Sequence, residues 1–256
     1  MAWGRAACSL SPASTSALTF DRRRGSNVAV DAGADRDADR QRAALRMLAE
    51  RCPRLARMCY WAGSAAIALE ELRHRRSFDL DFHTREALRD VRPILAELQQ
   101  AFPSAIEIVQ PPDEFGSGFR AALTLPDGGR IALEVLSNYE DVQPGDLIPA
   151  ASAPGLQRVS LSRYLADKIQ CVAERAEARD LVDIRAVLRA HPEMERDARE
   201  LLAQQDAALL AERLLAWSDT AIAEDLAVYD DVDPADARGA RDRLLAWLKD
   251  ESGGRR

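Results

Sequence analysis

Residues Ser77-Phe78-Asp79-Leu80-Asp81-Phe82 alternate polar and apolar with a period of two. Only an extended strand puts every second side chain on one face. A strand here projects Asp79 and Asp81 together and turns Phe78, Leu80 and Phe82 to an opposite, buried face. The chain must therefore build a sheet with one apolar face and one face that tolerates two carboxylates. Like charges side by side repel, so the pair is comfortable only with a cation between them. Hard oxygen ligands of this kind suit Mg²⁺, which takes one or two carboxylates and completes its shell with substrate phosphates. A solvated edge is the plainer reading of an isolated Asp-x-Asp.

More extended segments surround this one. Met58–Ala62 reads as a short strand, and Ile106–Gln110, Phe119–Leu125 and Arg130–Ser137 follow downstream. Pro126-Asp127-Gly128-Gly129 joins the last two as a hairpin turn. Helical periodicity covers Asp37–Arg51, which Pro53 stops, a small-apolar segment opening at Gly63-Ser64, and Glu86–Gln99. After Pro154 the pattern turns helical throughout: Arg163–Glu177, Asp180–Ala190, Glu195–Leu215, Thr220–Tyr229 and Pro234–Asp250. The expected class is α+β, a small mixed-sheet domain over 37–155 followed by an α-helical domain over 156–250. Residues 1–36 and 251–256 read as tails without persistent structure.

Composition narrows the function classes. Hydrophobic residues are 47% of 256, enough for a core and too many for a disordered chain. The net charge of −7 argues against a surface coated for non-specific nucleic-acid binding. No run of about 18 apolar residues exists to span a membrane. Ala6-Ala7-Cys8 echoes a lipoprotein cleavage box, but the apolar segment that must precede one is missing. The four cysteines are scattered without a Cys-x-x-Cys pair, which fits a reducing cytoplasm and neither a zinc knuckle nor a disulfide framework.

Other residues could serve the acid pair. Glu134 interrupts the apolar run Ile131–Leu136, where burying a lone carboxylate is costly without a partner. Gly63-Ser64 opens a helix, where free N–H groups attract phosphate, although a plain Ser N-cap would look the same. Arg73-His74-Arg75-Arg76 lies just before the acids, and Arg grips phosphate through forked hydrogen bonds; a solvated loop is the alternative. Lys168 is one of only two lysines. Asp180 and Asp183 share a helix face, but spacing alone does not separate a functional role from capping or surface pairing.

In combination, Trp61-Ala62-Gly63-Ser64-Ala65-Ala66-Ile67-Ala68-Leu69, His74-Arg75-Arg76-Ser77-Phe78-Asp79-Leu80-Asp81-Phe82, Lys168 and Arg179-Asp180-Leu181-Val182-Asp183 resemble the signature of the AbiEii-type nucleotidyltransferases. These are toxins of bacterial toxin–antitoxin and phage-defence pairs, within the DNA polymerase beta-like superfamily. The resemblance spans about Tyr60 to Leu188. It implies Mg²⁺-dependent transfer of a nucleoside monophosphate from a nucleoside triphosphate to a hydroxyl, on RNA such as tRNA or on protein, and a cognate antitoxin as partner. It implies a metal at Asp79 and Asp81, one ion or two, with Glu134 and Lys168 completing the catalytic set. It implies nucleotide contacts from Gly63, Ser64, Arg75, Arg76, Lys168, Asp180 and Asp183. Two positions depart from the family pattern: Ala132 stands where a Lys-x-Glu strand motif has its lysine, and Arg163 where an Asp often precedes the helical lysine. Arg130 is a nearby cation, two residues off. These departures keep two alternatives open, a transferase for a small-molecule hydroxyl and a catalytically idle interaction protein.

Overall fold

The computed structural model describes residues 27–253 apart from 176; the remainder of the two expected tails lies outside the described residues. The first helix, α1 (Asn27–Arg51), starts ten residues before the expected Asp37. Pro53 ends it and also opens α2 (Pro53–Met58), since a proline in a helix's first turn forfeits no hydrogen bond. Strand β1 (Cys59–Ala62) leads directly into α3 (Gly63–Ile67), which widens into a π-helical turn over Ala68–Leu72.

Strand β2 (Asp79–Ala87) is longer than its alternating core. It takes in Glu86, which the periodicity had assigned to a helix; α4 begins later, at Arg92–Ala101, with Pro93 in its first turn. Proline selects a helix start there rather than flawing a helix interior. Strands β3 (Ile106–Gln110), β4 (Gly118–Thr124) and β5 (Arg130–Asn138) follow as expected, β4 and β5 joined by the hairpin. Two short strands absent from the sequence reading, β6 (Leu147–Pro149) and β7 (Gln157–Val159), extend the sheet. Three residues are too few to display a period.

Among the described residues seven strands form one mixed sheet in the order β3-β4-β5-β2-β1-β7-β6. Strand β2 runs parallel to β5 and antiparallel to β1. The pairing aligns Leu80 with Leu133 and Phe82 with Val135, and all four are buried. It aligns Asp79 with Ala132 and Asp81 with Glu134 on the other face. Phe78 does not join the buried row. It precedes the first paired residue and is 47% exposed, because the strand's face alternation holds only where the ladder does.

The helical part comprises α5 (Leu161–Glu174), α6 (Ala178–Ala190), α7 (Glu195–Leu202), α8 (Ala207–Ala216), α9 (Asp219–Leu226) and α10 (Pro234–Gly253). The single helix expected over Glu195–Leu215 is two. Asp206 caps the second by accepting from the N–H groups of Ala208 and Leu209, a local bond that competes with helix continuation. Helix α5 packs on α3 and α6, so the two parts meet next to the end of β1. No helix among the described residues is long and apolar enough to cross a membrane.

Candidate active site

Asp81 sits at the centre of three strands, paired with Glu134 on β5 and Ala62 on β1. Asp79 is two residues back on the same face. Burial pushes the Asp81 carboxyl well above the usual carboxylate range, and the charges of Asp79 and Glu134 push it further; Lys168 and Arg179 oppose them. Protein cations thus leave this cluster short of positive charge. Gly63 makes room for it. Its φ is +71°, and a Cβ at that position would lie 2.0 Å from Asp81 Oδ2. The glycine serves the carboxylate as much as any ligand.

Glu134 has its own cation. Arg120 lies directly opposite it across the β4–β5 ladder and donates from Nε at 2.6 Å. Arg120 is about half exposed, Glu134 largely covered. Arg130 does not take this place, because it pairs with Glu107 on β3. Sequence reading missed Arg120, although the signal was present. Closing the hairpin on Leu125 and Gly129, with Pro126-Asp127-Gly128 as its loop, sets Thr124 against Arg130 and Arg120 against Glu134.

The remaining expected site residues gather in a buried network beneath this surface. The Asp183 carboxylate accepts from Arg75 Nε at 2.7 Å and Nη2 at 3.0 Å, and from Ser64 Oγ at 3.0 Å. His74 Nε2 lies 2.8 Å from its Oδ1 and Lys168 Nζ 2.8 Å from its Oδ2. The Arg75 guanidinium, Lys168 and hydrogen bonds hold the Asp183 carboxyl well below the usual range, outweighing burial. Asp180 binds Lys168 at 2.7 Å and accepts twice from Arg175, at 3.0 and 3.2 Å. Asp180 and Asp183 are both fully buried.

Ser64 is fully engaged. Its hydroxyl donates to Asp183 and accepts from Arg75 Nη2 at 2.5 Å and Tyr164 Oη at 3.1 Å, which uses its one proton and both lone pairs. Arg75 is buried as well. The main-chain N–H of Arg76 donates to Asp231 at 2.5 Å, and its guanidinium pairs with Asp230 and, at 3.6 Å, with Asp231. The structure therefore brings the sequence motifs together in two layers. Asp79, Asp81 and Glu134 lie on the sheet face with Gly63 beside them. Ser64, Arg75, Lys168, Asp180 and Asp183 lie in the seam where α3, α5 and α6 meet. Arg163, at the second departure from the family pattern, binds Asp167 at 2.8 Å and Asp146 at 3.3 Å.

The acid face suits a hard divalent cation in part. Among the described residues no three His, Cys, Asp or Glu side chains converge closely enough to enclose a metal ion. Two carboxylates on one strand face are nevertheless the donor set that Mg²⁺ uses when substrate phosphates fill the other positions.

A mixed sheet bearing paired acids on one strand and a third acid on its parallel neighbour, with helices packed at the strand ends, is the architecture of a nucleotidyltransferase. MenT4, a nucleotidyltransferase toxin from Mycobacterium tuberculosis, shares the fold at a TM-score of 0.51 and 16% identity, over 88% of this chain and 90% of that one. JHP933 from Helicobacter pylori aligns at 0.47 and 18% identity, over 87% and 96%. No curated protein sequence matches the chain. The model of the AbiEii family, nucleotidyl transferase toxins of type IV toxin–antitoxin systems, matches residues 46–246. The chain belongs to that family.

Proposed function

We propose that this toxin moves a nucleoside monophosphate from a nucleoside triphosphate to a hydroxyl acceptor, on tRNA or another RNA or on a protein, at the face formed by Asp79, Asp81 and Glu134. The observation that carries the reading is Asp81, buried on the sheet face between two other acids, where burial and like charge disfavour its ionised form unless a further cation is bound. Asp79 and Asp81 would hold Mg²⁺, which when bound neutralises charge on the triphosphate and the leaving pyrophosphate. Glu134, oriented by Arg120, accepts the proton of the attacking hydroxyl. The acceptor oxygen bonds to the α-phosphorus as the bond to pyrophosphate breaks. Arg120 compensates for Ala132, as a cation from the neighbouring strand.

Lys168, Asp180, Asp183, Arg75 and Ser64 act as positioning residues in this reading. They hold α3 and the end of β1, and with them Gly63, against the helices. Arg76 fixes the loop that follows α9. Cytoplasmic action in phage defence, restrained by a cognate antitoxin, accords with the family.

Label transfer tests the proposal. Protein, Mg²⁺ and each α-labelled nucleoside triphosphate in turn are incubated with total RNA and protein extract. Label is expected in one macromolecular band and absent with Asp79→Ala and Asp81→Ala, both variants remaining folded. Transfer that persists in both variants would sink the assignment.

A further inference from the structure

Phe78 is anomalous for its surroundings. The next apolar residues of the alternation, Leu80 and Phe82, are 0% and 1% exposed, whereas Phe78 keeps 47% of its surface in water immediately beside Asp79. Its ring is nonetheless held. It lies against Tyr229 with centroids 6.1 Å apart and an interplanar angle of 31°. Tyr229 in turn is fixed from two sides, by the Arg75 guanidinium 5.6 Å from its ring centroid and by Arg179 Nη1, which donates to its hydroxyl at 3.3 Å. Arg179 carries positive charge towards Asp81. Phe78 directly precedes Asp79, so the aromatic pair stands at the start of the strand that carries the acids, and Val228 beside Tyr229 is also exposed.

A half-exposed aromatic with a fixed backing ring offers a rigid π surface at little entropic cost. Bases stack on such surfaces irrespective of sequence, because every base has a π face. We propose that Phe78, backed by Tyr229, is a stacking platform for an unpaired nucleobase whose phosphate lies at Asp79 and Asp81. The proposal rests on the nucleotide-transfer reading and adds to it where the base binds. The base belongs either to the triphosphate donor or to the end of an RNA acceptor; stacking is the same chemistry in both. No base-edge donor or acceptor is implicated, so discrimination among the four bases follows stacking strength.

Equilibrium binding tests this without activity. Wild type, Phe78→Leu and Phe78→Trp are titrated, with Mg²⁺ present, against each nucleoside triphosphate, inorganic tripolyphosphate and an unstructured oligoribonucleotide. Leu keeps apolar bulk and removes the ring, and thermal melts verify folding. Phe78→Leu is expected to weaken nucleoside triphosphate binding about tenfold, the scale of one base–aromatic stack, with tripolyphosphate unaffected. Phe78→Trp is expected to retain affinity, its added fluorescence quenched by nucleotide and not by tripolyphosphate. The same pattern confined to the oligoribonucleotide assigns the platform to the acceptor base. Equal weakening of nucleotide and tripolyphosphate, or unchanged binding of both nucleotide and oligoribonucleotide, overturns the platform and leaves the transferase reading standing. A wild type that binds neither nucleotide nor tripolyphosphate overturns both.

Discussion

Gly63 shows how narrow the tolerance at a single position is. Its left-handed backbone strains any other residue, and the Asp81 carboxylate occupies the space a side chain would need. Gly63→Ala should destabilise the fold by about 2–4 kcal/mol, combining backbone strain with a displaced buried carboxylate. Adding Asp81→Ala removes the clash and leaves the strain. The double variant should therefore be more stable than the sum of the two single effects, with a coupling of about 0.5–3 kcal/mol by urea denaturation. Strict additivity would mean that the glycine and the carboxylate do not share space in solution.

At the scale of elements, the β4–β5 hairpin decides what stands beside Glu134. Its register aligns Arg120 with that acid and leaves Arg130 to Glu107. An ion pair with a half-exposed partner contributes about 0–1 kcal/mol to stability. Arg120→Ala should thus shift the melting temperature little. Its cost should fall on transfer, about tenfold or more for a lost positioned charge beside the reacting groups, with Arg120→Lys intermediate. Unchanged transfer by Arg120→Ala would return the arginine to a surface role. A large fall in melting temperature would instead make the pair part of the fold.

For the whole molecule, the critical group is Asp183. It gathers Ser64, His74 and Arg75 from one side of the seam and Lys168 from the other. Removing one partner of a buried charge cluster costs about 3–5 kcal/mol, because the opposite charges stay buried without compensation. Asp183→Asn should lose about this much at neutral pH. The pH dependence follows from a folded-state carboxyl held well below its ordinary value of 3.8. Stability from the charged form is fully present above 3.8 and is lost as pH falls through the lower, folded value. The gap between wild type and Asp183→Asn should therefore be full at pH 5–7 and narrow below about pH 4 in urea titrations. A gap independent of pH would show that the loss comes from packing alone.

Much of this was legible in local pattern. Period-two alternation placed Asp79 and Asp81 on one face with Leu80 and Phe82 behind them, and the Pro-Asp-Gly-Gly turn placed a hairpin where β4 and β5 meet. The order of the motifs pointed to the family, because short spacings encode which groups share a strand or a helix face. Local pattern could not assign partners. Arg75 and Asp183 are 108 residues apart, Ser64 and Asp183 are 119 apart, and no periodicity relates positions so distant. Read along the chain, Ser64, Arg75 and Lys168 were free polar groups that could turn to a phosphate. The path of the backbone consumed them, since a buried hydroxyl or guanidinium must satisfy its hydrogen bonds within the protein. Tertiary structure also released Phe78 from the buried row, because alternation binds a side chain to a face only within the ladder. The composition of the site was thus written in the sequence, and packing alone decided which of its charges are spent holding the fold and which remain for chemistry.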